Sequence, residues 1–279
     1  MRTSPTLRRR RLAAELRRLR IHSDLTADEA AKKIGISKST ISRIENGQVT
    51  ATPSVVGSLL RLYEVDEADI ESLVQIARDA RKRGWWQRYA EAIPEWFDTY
   101  VGLESEASEI CEYHSGLVPG LLQTADYTRA VIRAEHPDMT KAETDRWVEL
   151  RMKRQDQEDP PELWAVLDEA VLRRPVGGPD VMRAQLLRLE EASQQPQCNV
   201  QILPFDLGEH GCMGSAFIVL EFGDPADAPL VYIETRTSSL YLEEPDEVRE
   251  YIRLFNHLRA TAVDTRRSLE MISGAAVRL

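Results

Sequence analysis

The sequence predicts two domains of different class. An N-terminal all-α domain of five helices covers residues 8–83, and a C-terminal α+β domain, an antiparallel sheet covered by helices, covers residues 85–279. Three observations predict this. Before Gly84 the apolar residues recur at helical spacing, in segments that each start or stop on a capping or breaking residue. From Leu163 onward, short apolar or alternating runs of strand length are separated by turn residues. The charge also divides: through Tyr63 there are 13 Lys and Arg against 5 Asp and Glu, a net of +8, while the rest has 23 against 41, a net of −18. A chain of 279 residues with 42% hydrophobic content is long enough to bury more than one core.

The elements follow in order. Met1 to Leu7, with Pro, Ser and Thr, is expected to be disordered. Arg8 to Arg11 lead into a first helix whose inner stripe is Leu12, Leu16, Leu19 and, less regularly, Ile21; Arg17 and Arg18 face out. The arginine run fits a solvated arm as well as a phosphate or minor-groove contact. Thr26 caps a second helix, and Glu29 three residues later completes a capping box. Ala30, Ala31 and Ile34 give that helix a small apolar face, and Gly35 ends it in a left-handed conformation. Ser37 caps a third helix with Ile41 and Ile44 inward and Lys38, Ser39, Thr40, Ser42 and Arg43 outward; Gly47 follows Asn46 as its stop. Pro53 starts a fourth helix at its first position, burying Val55, Val56, Leu59, Leu60 and Leu62. Asp66 to Arg83 form a fifth with Ile70, Leu73, Val74 and Ile76 apolar, and Arg81 to Gly84 mark its end and a hinge.

The second and third helices, joined by a tight turn, read as a helix-turn-helix. The outer face of the third is short, polar and cationic, which suits a major groove where base edges offer hydrogen bonds between flanking phosphates. A plain helical hairpin would share the spacing. The residue pattern decides: the chain resembles the Xre family, the lambda-repressor and Cro type, over Leu12 to Val65. The resemblance rests on Leu-Thr-x-x-Glu-Ala-Ala at Leu25 to Ala31, on the unbroken run Gly35 to Gly47, and on the Pro-led helix from Pro53. It implies that Lys38, Ser39 and Arg43 read bases and that Ser37 and Thr40 sit at the groove edge. With Thr26, Ser42 and Gln48 these make the candidate DNA contacts. It also implies a buried structural ion pair between Arg20 and Glu45. Two departures imply fewer contacts and weak binding by this module alone: Ala27 stands where the family often has Gln, and the loop Gln48 to Thr52 carries no basic residue.

Trp85, Trp86, Tyr89, Trp96, Phe97 and Tyr100 then concentrate aromatic rings. Rings can stack bases or line a ligand site, but the favoured reading is an interdomain or dimer core. Pro94 interrupts any helix there. Val101 to Tyr127 reads as helical with a break at Gly116 to Gly120. The stretch Val118 to Tyr127, together with Leu167 to Pro175, Gln185 to Leu187, His210 to Phe217 and Tyr232 to Thr235, resembles the C-terminal domain of WhiJ-like actinobacterial regulators. That resemblance implies a transcriptional regulator, often paired with a small partner protein, with some relatives antitoxin-like.

Residue by residue, Met139 to Gln157 is a charged helix with Trp147, Leu150 and Met152 partly inside. Leu163 to Leu172, Asn199 to Pro204, Ala216 to Phe222, Leu230 to Glu234 and Ser239 to Leu242 read as strands, with a hairpin turn at Asp224 to Pro229. Pro179 to Ala192 is a helix, and Pro245 to Met271 holds one or two more.

Chemistry is sparse. Cys111 and His114, placed on one helix, form a single pair without the second pair a zinc site needs. The glycine-rich turn Gly208 to Gly214, with His210 and Cys212, lacks the lysine of a phosphate loop; a small ligand on its backbone amides is the minor reading beside an ordinary turn. Glu169 and Glu234 could be paired carboxylates, but strand-end carboxylates satisfied by Arg173 or Arg236 fit better. No serine, cysteine or histidine arrangement suggests a nucleophile. Cys111, Cys198 and Cys212 are odd in number and widely spaced, which suits a reducing compartment. No run approaches the roughly 20 apolar residues of a membrane span. The expectation is a cytoplasmic, non-enzymatic, sequence-specific regulator without metal or cofactor. It binds double-stranded DNA as a homodimer, because one recognition helix reads only a few base pairs. Its acidic domain docks a small partner protein or, alternatively, binds a small-molecule ligand, and a deep pocket in that domain would favour the second.

Overall fold

The computed structural model describes residues 4–91 and 93–279. The chain divides into two compact units, one ending at Gln87 and one running from Arg88 to Leu279.

The first unit is five helices: α1 (Pro5–His22), α2 (Ala27–Ile34), α3 (Lys38–Glu45), α4 (Pro53–Leu62) and α5 (Glu67–Asp79). Their core is Leu12, Leu16, Ala30, Ala31, Ile41, Ile44, Val56, Leu59, Leu60, Ile70 and Ala77, all buried. The start of α1 corrects the sequence reading, because Ser4 is ordered. Its hydroxyl accepts the Leu7 amide at 3.1 Å and Pro5 takes the first helical position, so the cap extends the helix ahead of Arg8. Residues 1–3 of the expected disordered segment lie outside the described residues. Ile21 is also corrected: it is 57% exposed, beyond the stripe that Leu12 and Leu16 establish. The remaining caps form as the residues dictate. Thr26 and Glu29 make a full capping box, Gly35 is left-handed at φ 74°, and Ser37 accepts the Thr40 amide.

The second unit opens on a 3-10 turn and α6 (Glu95–Glu104), for which Pro94 is the N-cap. It then builds one six-stranded sheet from β1 (Ala107–His114), β2 (Glu162–Asp168), β3 (Cys198–Leu203), β4 (Phe217–Phe222), β5 (Leu230–Glu234) and β6 (Ser239–Leu242), in the order β3-β2-β1-β4-β5-β6. The α+β class holds. The sheet is mixed, however, not wholly antiparallel: β1, β2 and β3 run parallel, while β4, β5 and β6 add antiparallel pairs. The connections explain the difference. Helices α7 (Ala125–Glu135) and α8 (Lys141–Gln155) lie between β1 and β2, and α9 (Ala170–Arg173) and α10 (Pro179–Ala192) between β2 and β3. Such crossovers allow parallel pairing, whereas the turn at Asp224 to Pro229 closes a hairpin.

Residues 107–114 are the largest correction. The stretch expected to be helical is the strand at the centre of the sheet, and β2 stops at Asp168, where α9 begins. Alternation then sorts β1 onto two faces. Cys111 and Tyr113 face α11 (Pro245–Thr261) with Phe217, Val219 and Val231, against Val248, Phe255 and Leu258. Glu112 and His114 belong to the opposite face, and Glu112 pairs across the strands with Ala165 and Ile218. The chain ends on α12 (Thr265–Val277), which packs on α10 and β3.

Candidate functional site

In the first unit, α3 offers one exposed polar face. Lys38, Ser39, Ser42 and Arg43 are all exposed, and the i, i+4 pairs 38/42 and 39/43 put them side by side. Thr40 is half-buried, and its hydroxyl lies 2.8 Å from that of Ser37, which is also 2.8 Å from Ser39 Oγ. Ser37 is therefore committed to capping. Thr26 is exposed but engaged with Glu29, whose carboxylate accepts its hydroxyl at 2.7 Å. Gln48 is exposed just past the helix. On the inner side, Arg20 donates to Glu45 through Nε at 2.7 Å and Nη2 at 2.8 Å, and to the Leu25 carbonyl through Nη1 at 2.7 Å. This bidentate pair fixes the end of α3 to α1, so the outer face is presented by a rigid support.

The second unit holds a cavity of about 720 Å³, within the ~300–1,000 Å³ of small-molecule sites. Its floor is the sheet face that carries Glu112, His114 and Ile218, with Glu234 at the end of β5. Its walls come from α6, α7 and α8. Phe97, Tyr100 and Glu104 share one face of α6 at spacings of three and four, and Trp147, Arg151 and Arg154 share one face of α8 at four and three. Val131 and Ile132 of α7 add apolar surface. The rings pack on one another: Phe97 and Trp147 have centroids 5.3 Å apart, and Tyr100 stacks on Tyr232 at 4.2 Å.

The charges in this cavity are unevenly matched. Arg154 and Glu104, both buried, form a two-point pair with Nε 2.7 Å from Oε1. Arg151 donates to Gln123 Oε1 at 2.8 Å. Burial, and then the neighbouring Arg154, pull its guanidinium down to about 10, while Glu234, Glu135 and Glu104 oppose that shift. Glu112 is 3% exposed. Its Oε2 meets His114 Nε2 at 2.8 Å, and its Oε1 is buried without a hydrogen-bond partner. The indole Nε1 of Trp147 is likewise buried and unpartnered. An unmade hydrogen bond on a buried polar group costs on the order of 1–3 kcal/mol.

Of the other candidate groups, Cys111, Glu169, His210 and Cys212 stay apart from this cavity. Cys111 and His114 point to opposite sheet faces, Cys111 donating to Glu109 at 3.3 Å and His114 pairing with Glu112. Among the described residues no group of three or more His, Cys, Asp and Glu is placed to hold a metal. His210 packs edge-on against Tyr113, its Nδ1 accepts the Cys212 amide at 3.3 Å, and the Cys212 thiol donates to the Ser215 carbonyl, so the glycine-rich turn is tied to itself. Glu169 is held by Arg173 and by the Phe205 amide, as a strand-end carboxylate. Glu234 instead accepts from Tyr232, and Arg236 donates to the Glu135 carbonyl, so that half of the expected pairing fails. Trp96, Phe97 and Tyr100, read as interface residues, line the cavity. The signal missed was their repeat at helical spacing together with that of Trp147, Arg151 and Arg154.

Residues 11–73 match a family model described as a helix-turn-helix domain (HTH_31), which supports a DNA-binding regulator. Residues 97–274 match a model described as a domain of unknown function (DUF5753). No curated protein and no solved structure matches the chain. Among the described residues no helix is long and apolar enough to cross a membrane.

Proposed function

We propose that the chain, which belongs to the family described as a domain of unknown function (DUF5753), is a sequence-specific transcriptional regulator that carries out no catalysis. It reads double-stranded DNA with α3, in the manner of the Xre family it resembles. The carrying observation is the exposed face of Lys38, Ser39, Ser42 and Arg43, backed by the part-buried Arg20–Glu45 pair. Arg43 and Lys38 donate to base edges or adjacent phosphates; Ser39 and Ser42 contribute hydroxyls, with Thr26, Ser37, Thr40 and Gln48 at the groove edge. A homodimer places two such helices about one helical turn apart. The reading puts its work at genomic DNA in the cytoplasm.

The C-terminal unit supplies the second input. Docking of a small partner protein, in an antitoxin-like arrangement, is one form of it. The 720 Å³ cavity favours the other, a one-component regulator in which a small molecule bound to this unit alters DNA binding. Arg43→Ala and Lys38→Ala test the first half. Both side chains are exposed, so the melting temperature should hold while affinity for the protein's own promoter falls by about 1–3 kcal/mol per contact. Unchanged promoter binding in both variants would remove α3 as the reading helix.

A further inference from the structure

The cavity in the C-terminal unit is lined by four glutamates and three arginines, and their pairing leaves one carboxyl without a cation. Glu104 is bound to Arg154. Glu135 and Glu234 both act on Arg151, together with Glu104, and Arg236 acts on Glu135. Glu112 has His114 alone, and its Oε1 has no partner although the side chain is almost wholly buried. Ile218 lies beside it on the neighbouring strand, and Trp147, Ile132 and Val131 add apolar and aromatic surface to the same cavity. A buried acceptor beside an apolar wall selects a donor carried on an apolar body. The excess of carboxylates over guanidinium groups selects a positive donor over a neutral one.

Resting on the reading that this unit binds a small molecule, we propose that the cavity takes an organic amine. Its protonated nitrogen pairs with the Glu112 carboxylate, and its apolar or aromatic body lies against Trp147 and Ile218. Arg154 already lies over the Phe97 and Tyr100 rings at 5.3 and 5.4 Å, so those faces hold the protein's own cation and the amine is steered to the Glu112 side.

The test uses the full-length protein and three probes of matched body: phenethylamine, phenethyl alcohol and 3-phenylpropionate, titrated by calorimetry at neutral pH. The amine should bind at least tenfold more tightly than either analogue. Glu112→Gln should bring the amine down to the level of the alcohol. Should that variant fail to fold, the order of the three probes on the unaltered protein carries the test by itself. Tighter binding of the alcohol or the carboxylate, or an amine affinity that Glu112→Gln leaves intact, overturns the amine assignment while the cavity remains a ligand site. Absence of binding by all three at millimolar concentration overturns the assignment and counts against the ligand reading as well.

Discussion

Arg154 on α8 and Glu104 at the end of α6 form a bidentate ion pair in the C-terminal unit, with Nε–Oε1 at 2.7 Å and Nη2–Oε2 at 2.5 Å and only 4% and 1% of the two residues exposed. The pair joins two walls of the cavity. Removing one partner strands a charge where water cannot reach it. Glu104→Ala should therefore cost about 3–5 kcal/mol, read as a lower urea midpoint. Glu104→Leu combined with Arg154→Met should cost less than Glu104→Ala alone, because no uncompensated charge remains. An equal or larger loss in the double variant would mean that the pair does more than satisfy itself.

The three thiols should be inert in the folded protein. Cys111, Cys198 and Cys212 are all buried and unpaired. Burial pushes the Cys198 thiol up to about 11, raises that of Cys212, and raises that of Cys111 further still, with Glu109 adding to it. The thiolate is the reactive form. A thiol reagent at pH 7.5 should thus modify none of them over minutes, and all three once urea unfolds the chain. Rapid reaction of one thiol before unfolding would show that its site opens locally.

The N-terminal unit was legible because each of its signals is local. Thr26 with Glu29, Gly35 and Ser37 fix helix ends through bonds to residues within a turn or so, and such contacts survive in any tertiary setting. The strand at residues 107–114 was not legible, because its signal is global. A strand at the centre of a sheet is buried on both faces and loses the polar alternation that marks a half-exposed one. Here Glu109 and Glu112 also mimic the polar face of a helix, while Glu112 is in fact buried. With that strand misassigned, the crossover through α7 and α8 was hidden, and with it the parallel half of the sheet. The cavity was lost for the same reason: Glu112 and the side chains of α6 and α8 come to line one cavity only through the tertiary fold.

Glu169 should give the protein an acid-sensitive component of stability. Burial by itself raises this carboxyl; the Phe205 amide and the Arg173 guanidinium outweigh it, and the folded value is lowered. A depressed carboxyl stabilises the fold above its unfolded pKa of about 4.3 and loses that contribution as pH falls through the folded value. Arg173 is half-exposed, so solvent screens its share. Glu169→Gln should lower stability by about 1–2 kcal/mol at neutral pH and flatten the acid limb of the stability curve. An acid limb as steep as that of the unaltered protein would assign the effect to other carboxylates.

The first unit should also fold alone and bind DNA poorly. Its buried cluster runs from Leu12 to Ala77, all of it within this unit. A fragment of residues 1–83 keeps all five helices, and the residues up to Tyr63 carry a net charge of +8. It should be helical by circular dichroism and monomeric by ultracentrifugation, since we assign the dimer contacts of the proposed homodimer to the C-terminal unit. One α3 helix with a non-basic following loop makes few base contacts, so its binding comes mainly from phosphate neutralisation. Such binding weakens steeply with salt. Mobility shifts at 50 and 200 mM salt should show binding by the fragment nearly lost at the higher salt, while the full chain on its operator stays bound at both because base contacts add to the phosphate contacts. A fragment that dimerises stably, or that matches the full chain in affinity at both salts, would move dimerisation and specificity into the N-terminal unit.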